Sequence, residues 1–417
     1  LFFSNIYIIM GGGLIQLVAL GAQDVYLTGN PQITFFITIY KKHTNFAKEC
    51  IEQPLDGAEI GRKSCIISRN ADLIQEMYLK SKVTLTSGGD YQKPELLDAT
   101  NLIQEIELQI GGIRIDKHYS RWLDIYNELF EQNHNTRIAL ATIPPPASGT
   151  TNNGFVYIPL RFWFNRNPGL ALPLISLQYH EVSLIFTLSN TELKSKVSHN
   201  TNSTTSILSC SSNAASNTNV KADISDSKLL VNYIYLDTNE RRTFAKNDRE
   251  YLVDQVQFTG TENKSKFLLT FNHPIKSLFW KIDSTQNTTT NNLSIPITNV
   301  DLKLNGHDRF KAQEPNYFHL IQPYETHLGN GFSMNNTSRE WQFKIDKMSK
   351  NYNTSLYSFA LKPAEHQPSG SCNFSRIDRA EITFSDFDSV NDTIHMFALN
   401  YNIFRIVSGL GGLVYSN

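Results

Sequence analysis

The sequence feature that most limits the fold is a series of short segments in which apolar and polar residues alternate. Because successive side chains of a β-strand point to opposite faces, this alternation predicts strands that bury one face. Gly, Pro, Asn and Ser separate the segments, as is typical of antiparallel strands joined by turns. The predicted strands lie at 33–40, 105–110, 155–164, 182–188, 229–236, 267–271, 278–282, 300–304, 356–361, 380–384 and 394–407. The pattern predicts an all-β protein.

One segment has helical periodicity instead. Between residues 119 and 131, Trp122, Ile125 and Leu129 recur at the spacing of one helical stripe, which predicts an amphipathic helix. Strands and helices do not alternate regularly along the chain, so the pattern differs from that of a parallel α/β sheet. We therefore expect this helix to be an insertion in a β-sandwich.

Two dipeptides indicate tight hairpins. Gly111-Gly112 and Asn305-Gly306 supply the positive φ angles that two-residue hairpin loops require. Each dipeptide follows an alternating segment and precedes a segment that contains both Asp and Arg. Because the two dipeptides are separated by nearly half of the chain, the parallel predicts that one β fold occurs twice.

The chain length and the polar segments define the expected domains. At 417 residues the chain is longer than most single domains, which favours two domains of about 200 residues each. We expect the linker at 237–249, because the strand at 229–236 is needed to complete the first sheet. The Ser-, Asn- and Thr-rich segment 194–227 is interpreted as a long exposed loop. The prediction is two consecutive eight-stranded antiparallel jelly-roll barrels, at 30–236 and 250–417, with short helical insertions.

The charge of the chain argues against direct binding of nucleic acid. The formal net charge is -1, and no long basic run occurs. A protein that coats nucleic acid needs a strongly positive surface, so we expect no direct contact with a genome. The four cysteines form no CxxC pair and no metal-ligand spacing, so we expect free thiols.

The N-terminal segment raises the possibility of a signal peptide or a membrane anchor, because residues 6–22 are mostly apolar. No basic residue precedes the apolar run, and the three glycines at 11–13 weaken a helix there. We interpret Met10 as the start of the protein and residues 1–9 as upstream translation. The remaining apolar run is too short to span a bilayer, so we expect no membrane span.

Two groups of side chains resemble catalytic motifs. His180-Glu181 matches the first half of a zinc-binding HExxH motif, but Leu184 stands where the second histidine would be. Asp116, Lys117 and His118 are suited to acid–base chemistry. They lie between a hairpin and a helix, so we expect them to form a turn and a helix cap instead.

The glycine-rich segments lack the partners that catalysis or phosphate binding would need. The glycines at 409, 411 and 412 have no following Lys-Ser or Lys-Thr, which a phosphate-binding loop requires. Ser369-Gly370-Ser371 does not match the GxSxG nucleophile elbow of hydrolases. We therefore predict no catalytic residue, no metal ligand and no cofactor.

Eight stretches of the chain resemble one family, in the order in which that family has them. They are GGGLIQLVALGAQDVYLTGNPQITFFITIYKKHTNFAKE (11–49), IGGIRIDKHY (110–119), NPGLALPLISLQYHEVSLIFTL (167–188), YIYLDTNERRTFA (233–245), FNHPIKSLFW (271–280), LNGHDRF (304–310), YSFALKPAEHQPSGSCNFSRIDRAEI (357–382) and NYNIFRIVSGLGGLVYSN (400–417). The family is the major capsid proteins of nucleocytoplasmic large DNA viruses, and the resemblance is strongest to the algal-virus branch that contains the chloroviruses.

The resemblance implies a double jelly roll and a structural function in the virion. Three copies would form a homotrimer of pseudo-hexagonal outline, and these capsomers would tile an icosahedral shell assembled in the host cytoplasm. Residues 10–29 would be an N-terminal arm beneath the barrels. The implied partners are neighbouring capsomers, minor capsid proteins that cement the shell, and an internal membrane below it. The segments 137–153 and 194–227 depart from the chlorovirus pattern.

Two other functions remain open from the residues alone. A jelly-roll protein of the virion with long Ser- and Asn-rich loops is also suited to binding glycans or attaching to a host. A jelly-roll enzyme that acts on sugars would need two carboxylates facing each other across a cleft.

Overall fold

The computed structural model describes residues 12–87, 97–131, 134–143, 151–189, 192–195, 208–209, 220–284, 297–327 and 354–415. The chain divides into two compact units, residues 1–45 and residues 46–417. The expected start at Met10 and most of the segment 194–227 lie outside the described residues. The loop interpretation of 194–227 was wrong for the described part of the segment, which belongs to the strands Glu192–Ser195, Leu208–Ser209 and Val220–Leu236.

The first unit contains two short helices and no strand among its described residues. The helices are α1 (Gly12–Val18) and α2 (Val25–Thr28). The predicted strand at 33–40 was wrong, because the chain has a turn at Phe35 and Phe36 and joins no strand ladder with described residues. β-Branched and aromatic residues give a segment the propensity for a strand, but a ladder also needs a partner strand.

The second unit begins with eight long strands. They are β1 (Phe46–Pro54), β2 (Gly61–Ile66), β3 (Leu73–Ser87), β4 (Ile103–Ile110), β5 (Ile113–Tyr119), β6 (Thr151–Pro159), β7 (Val182–Leu188) and β8 (Val220–Leu236). Eight more strands follow. They are β9 (Arg249–Glu262), β10 (Lys266–Leu268), β11 (Pro274–Ser284), β12 (Val300–Leu304), β13 (His307–Gln313), β14 (Thr354–Ser358), β15 (Ala380–Phe384) and β16 (Asp392–Val407).

The two sets of strands have the same topology. In the first set, one antiparallel sheet has the order β1-β8-β3-β6 and the other has the order β2-β7-β4-β5. The second set forms sheets in the order β9-β16-β11-β14 and β10-β15-β12-β13. These are the orders of the first set with eight added to each strand number. Two sheets with this crossed order are the jelly roll. The predicted double jelly roll is confirmed.

Shorter elements complete the unit. Two-to-four-residue strands lie at Asp56–Gly57, Leu97–Asp98, Thr142–Ile143, Leu172–Pro173, Glu192–Ser195, Leu208–Ser209, Cys372–Asn373 and Leu410–Leu413. The helices are α3 (Ser120–Leu129), α4 (His134–Ala141), α5 (Trp163–Arg166), α6 (Thr238–Lys246) and α7 (Gln322–Thr326). Single turns of tighter or wider helix lie at Ala99–Leu102, Pro168–Leu170, Tyr317–Ile321 and Phe374–Arg376. None of the described helices is both long enough and apolar enough to cross a membrane.

Both predicted hairpins are present, and they occupy equivalent places in the two jelly rolls. Gly111 and Gly112 join β4 to β5 with φ angles of 61° and 78°. Asn305 and Gly306 join β12 to β13 with φ angles of 50° and 82°. Positive φ at both central residues gives the turn a twist that matches that of the flanking strands. The repeated hairpin therefore belongs to the repeated fold.

The apolar residues that alternate in 155–164 are buried as predicted, but the strand is shorter than predicted. Val156, Ile158, Leu160, Phe162 and Phe164 are all buried, yet β6 ends at Pro159. The chain then turns into α5, where the Asn165 side chain accepts a hydrogen bond of 3.1 Å from the Phe162 amide. The local cap, not the apolar pattern, ends the strand.

Candidate functional site at the junction of the two jelly rolls

Helix α3 joins the two jelly rolls through a set of buried aromatic and aliphatic side chains. Its inner face packs against β11, β14 and β16 of the second jelly roll. The Trp122 ring lies 5.4 Å from the Phe279 ring and 5.9 Å from the Phe397 ring. The cluster contains Trp122, Ile125, Tyr126, Leu129, Phe279, Leu356, Phe397 and Leu399. The predicted helix is confirmed, and it connects the two jelly rolls instead of only decorating one.

The second jelly roll also contributes to the core of the first. Val253 of β9 and Phe404 and Ile406 of β16 belong to the apolar cluster of the first jelly roll. The Phe404 ring lies 5.8 Å from the ring of Trp163, the first residue of α5. Since this apolar core continues from one jelly roll into the other, the two cannot separate without exposing it to water.

Three charged side chains, those of Arg166, Asp254 and Lys276, also come together at the junction. The Lys276 ammonium on β11 lies 3.0 Å from the Asp254 carboxylate on β9. Arg166, at the end of α5 in the first jelly roll, approaches the other oxygen of Asp254 at 3.3 Å. The Lys276 Nζ also lies 4.6 Å from the centre of the Tyr401 ring, which allows a cation–π contact. Asp254 is therefore shared between a lysine of its own jelly roll and an arginine of the other.

Burial governs the ionisation of this group. Lys276 has no exposed surface, and burial lowers its pKa, while the charge of Asp254 acts in the opposite direction. Burial raises the pKa of the Tyr401 hydroxyl to about 12. A lysine with a lowered pKa is a common nucleophile in enzymes, but a substrate has no access to this Nζ. The arrangement is suited to holding two elements together, not to catalysis.

A second group of polar contacts joins α3 to the sheet below it. The Lys281 ammonium on β11 lies 3.6 Å from the Asp124 carboxylate, and both side chains are more than nine-tenths buried. The Thr354 hydroxyl on β14 donates a hydrogen bond of 2.8 Å to the Glu128 carboxylate. These contacts fix the position of α3 along the sheet, which apolar packing alone specifies less strictly.

The prediction that Asp116, Lys117 and His118 form a turn and a cap was wrong, because all three lie within β5. The hairpin before them takes only two residues, so the strand continues to Tyr119. Asp116 and His118 are buried, and their side chains approach to 3.0 Å. The other Asp116 oxygen accepts a hydrogen bond of 3.2 Å from the Val256 amide of β9, so this pair also ties the two jelly rolls together.

His180 lies just before β7 and forms part of the junction. Its Nδ1 lies 2.9 Å from the Gly411 carbonyl oxygen in the C-terminal strand Leu410–Leu413. The Tyr179 amide donates to the Gly409 carbonyl oxygen at 3.2 Å, and Arg69 donates to the His180 carbonyl oxygen at 2.9 Å. The C-terminal glycines therefore allow the end of the chain to pack closely against the first jelly roll.

The described residues offer little for chemistry. Within the described ranges, no three His, Cys, Asp or Glu side chains come together as metal ligands. Two open grooves lie on the surface of the described residues. One contains a single carboxylate, that of Asp56, and the other, formed by Arg405 and residues 407, 408 and 410–414, contains none. Neither groove has the facing carboxylates that a glycosidase needs.

Comparison with known proteins identifies the family. The model of the family "Major capsid protein N-terminus" matches residues 34–237, and that of "Large eukaryotic DNA virus major capsid protein" matches residues 240–412. The chain belongs to the major capsid proteins of large eukaryotic DNA viruses.

Full-length relatives and a solved capsid agree with this assignment. The major capsid protein of Pyramimonas orientalis virus is 43% identical, and the alignment covers 98% of this chain and 100% of that protein. The major capsid protein of Paramecium bursaria Chlorella virus 1 is 37% identical, with the same shares covered. A chain in a quasi-atomic model of the PBCV-1 virus capsid superimposes with a TM-score of 0.71 at 32% identity, covering 92% of this chain and 100% of that one. The predicted resemblance and the location in the virion capsid are confirmed.

The sequence did not reveal the buried ion pairs of this capsid protein. Arg166, Asp254 and Lys276 are far apart in the chain, and single charges in an alternating pattern predict exposed positions. The one available signal was the stretch 274–282, in which Lys276 and Lys281 are the charged residues among mostly apolar ones. A charge in such a stretch indicates either a strand edge or a buried pair, and only the fold decides between the two.

Proposed function

We propose that this capsid protein is the shell-forming subunit of homotrimeric, pseudo-hexagonal capsomers that tile an icosahedral capsid. The observation that carries the proposal is the repetition of one jelly-roll topology within one chain. Three copies then present six similar barrels, which gives a trimer a nearly six-sided outline. An outline of this kind packs edge to edge on a closed surface.

The junction of the two jelly rolls supports the same proposal. A tile keeps its outline only if the two barrels of each copy keep a fixed relation. The shared apolar core and the buried ion pair between Arg166 and Asp254 both resist relative motion. Domains that move during function usually meet at smaller and more polar interfaces, whereas this junction has an apolar core.

We propose that the protein acts through binding partners and has no catalytic activity. The partners are neighbouring capsomers, minor capsid proteins and, beneath the shell, an internal membrane, with assembly in the host cytoplasm. A net charge of -1 supports a shell that does not contact the genome directly. The protein acts by repeated association and not as an enzyme. The proposed organisation is an arm at 10–29, jelly rolls at 30–236 and 250–417, and a linker at 237–249.

Sedimentation of the purified full-length chain tests the trimer. At micromolar concentration we expect a species of three times the chain mass of 47.4 kDa, with a nearly hexagonal outline in electron micrographs. A stable monomer at that concentration would contradict the proposal.

Removal of residues 10–29 tests the arm. We expect the truncated chain to form trimers, because the strands β1 to β16 are intact, but to form far fewer closed shells than the full chain does. Sedimentation measures the trimers, and electron microscopy counts the shells. Shells of normal number and size from the truncated chain would contradict a function of the arm in assembly.

A further inference from the structure

The segment 33–40 has the sequence of a strand but lacks a partner among the described residues. Its residues are β-branched or aromatic throughout, which is the composition most favoured in strands. Its large apolar side chains are nevertheless exposed. The exposed fractions are 64% for Ile33, 89% for Phe35, 95% for Phe36, 69% for Ile37, 69% for Ile39 and 84% for Tyr40. Apolar side chains exposed in one continuous run indicate a surface that another molecule covers.

The backbone of this segment favours a protein partner over a lipid bilayer. A bilayer cannot satisfy backbone N–H and C=O groups, so only helices and closed barrels are stable within it. Residues 31–40 are neither helical nor part of a strand ladder with described residues. A strand of another protein satisfies these groups by extending its own sheet, while the alternate side chains pack on that sheet's faces.

We propose that residues 33–40 become a β-strand by adding to an open sheet edge of a second copy of this chain. This inference rests on the proposed assembly, in which every copy is surrounded by others. Open edges are available, since β1 and β13 are the outermost strands of their sheets among the described residues. The charged side chains of β1 are each held by a side chain of β3 or β8. Lys48 donates to Gln75 at 2.8 Å, Glu49 accepts from the Tyr235 hydroxyl at 3.0 Å, and Glu52 pairs with Lys80 at 2.6 Å. An uncharged strand is therefore not repelled there.

Cross-linking identifies the partner. A photoreactive benzoylphenylalanine replaces Phe36 in the full-length chain, and the purified protein is irradiated at micromolar concentration. We expect a product of at least twice the chain mass, with the cross-link in Phe46–Pro54 or His307–Gln313 of the other copy. A product linked at any other position, or only a product of single-chain mass, would overturn the proposal.

Proline substitution then distinguishes strand addition from simple apolar contact. Alternate N–H groups of an added strand point towards the partner, so proline removes a ladder hydrogen bond at every second position. Proline and alanine are introduced in turn at each of residues 33, 34, 35, 37, 38, 39 and 40, with the photoreactive group kept at 36. We expect the cross-link yield of each proline variant, relative to its alanine control, to fall about tenfold at alternate positions. A decrease in cross-link yield that is the same at every position, or no decrease, would overturn the proposed strand addition.

The same samples separate this inference from the proposed function. If sedimentation finds trimers but the cross-link or the two-residue periodicity is absent, strand addition is refuted while the trimeric capsomer stands. If the protein is monomeric, the proposed function itself fails.

Discussion

At the scale of single residues, the junction contains a buried ion pair in which replacing either partner alone is expected to destabilise the protein. Lys276 has no exposed surface, and Asp254 is the carboxylate nearest to its ammonium, at 3.0 Å. Replacing one partner of a buried pair leaves the other charged without compensation, which costs more than the pair contributes. The ion pair therefore contributes more to fixing the geometry than to total stability.

Asp254→Asn is expected to lower the free energy of unfolding by about 3–5 kcal/mol, because it leaves the buried Lys276 charge unpaired. Chemical denaturation of the purified protein measures the change. The matched control is Asp308→Asn, whose partner Lys303 lies 3.4 Å away with 44% of its side chain exposed, and we expect its effect to stay within about 0.5 kcal/mol. Equal effects of the two variants would show that burial of the pair is unimportant.

A buried histidine makes stability depend on pH. His327 packs edge-on against Phe130 with ring centres 4.6 Å apart, and burial lowers its pKa to about 4 from 6.5. The unfolded chain therefore binds this proton more readily than the folded chain does. The contribution of His327 to the free energy of unfolding is fully present above pH 6.5. It falls as the pH decreases from 6.5 to 4, by up to about 3 kcal/mol.

His327→Phe is expected to reduce this acid dependence, because phenylalanine keeps the ring and cannot be protonated. Unfolding midpoints between pH 7 and 4 measure the slope, which we expect to decrease without vanishing, since burial also lowers the pKa of His319 and His366. The control His307→Phe changes an exposed residue of β13 and is expected to leave the slope unchanged. An unchanged slope in His327→Phe would contradict this origin of the acid sensitivity.

At the scale of elements, the sequence predicts whatever is determined locally. The hairpin at Asn305-Gly306 and the helix around Trp122 were predicted correctly, because turn geometry and side-chain periodicity act over a few residues. The strand at 33–40 was predicted incorrectly, because a strand ladder needs a partner strand and no local pattern reveals whether one is present. The position of Asp116 in β5 was missed for a different reason, since the turn takes only two residues and the local ladder with β4 pairs Asp116 with Leu108.

The hairpin between β4 and β5 allows a test of close packing against backbone strain. An added Cβ at Gly112 meets no atom within 4 Å, so Gly112→Ala costs only the positive φ, about 1 kcal/mol. At Gly111 the added Cβ would lie 2.6 Å from the His180 ring. We expect Gly111→Ala to lower the free energy of unfolding by about 1–3 kcal/mol more than Gly112→Ala does, because His180 must move away from Gly411. Equal losses in denaturant titrations would contradict the packing argument.

At the scale of the whole second unit, the two jelly rolls share part of the first core, while the second also has a core of its own. β9 and β16 of the second contribute to the core of the first, and α3 of the first packs on the sheet of the second. Two folds that share a core unfold together, because separating them exposes apolar surface on both. For a shell subunit this coupling means that neither barrel can tilt on its own, so each copy presents its two barrels at a constant spacing.

Two tryptophan-to-alanine variants distinguish coupling between the jelly rolls from stability within one of them. Each tryptophan is buried to at least 98%, so each change costs about 3–5 kcal/mol. Trp122 lies between the jelly rolls, 5.4 Å from Phe279, whereas Trp280 packs inside the second one, 5.2 Å from Phe318. Hydrogen exchange during heating reports the loss of protection in peptides from each jelly roll.

In Trp280→Ala we expect both jelly rolls to lose protection together at a lower temperature, because their coupling is intact. In Trp122→Ala we expect the two to lose protection at separate temperatures, because the cluster that joins them has lost its largest member. Simultaneous loss in Trp122→Ala would mean that the shared core around Val253 and Phe404 suffices for coupling. Helix α3 would then be dispensable for keeping the two barrels at a constant spacing.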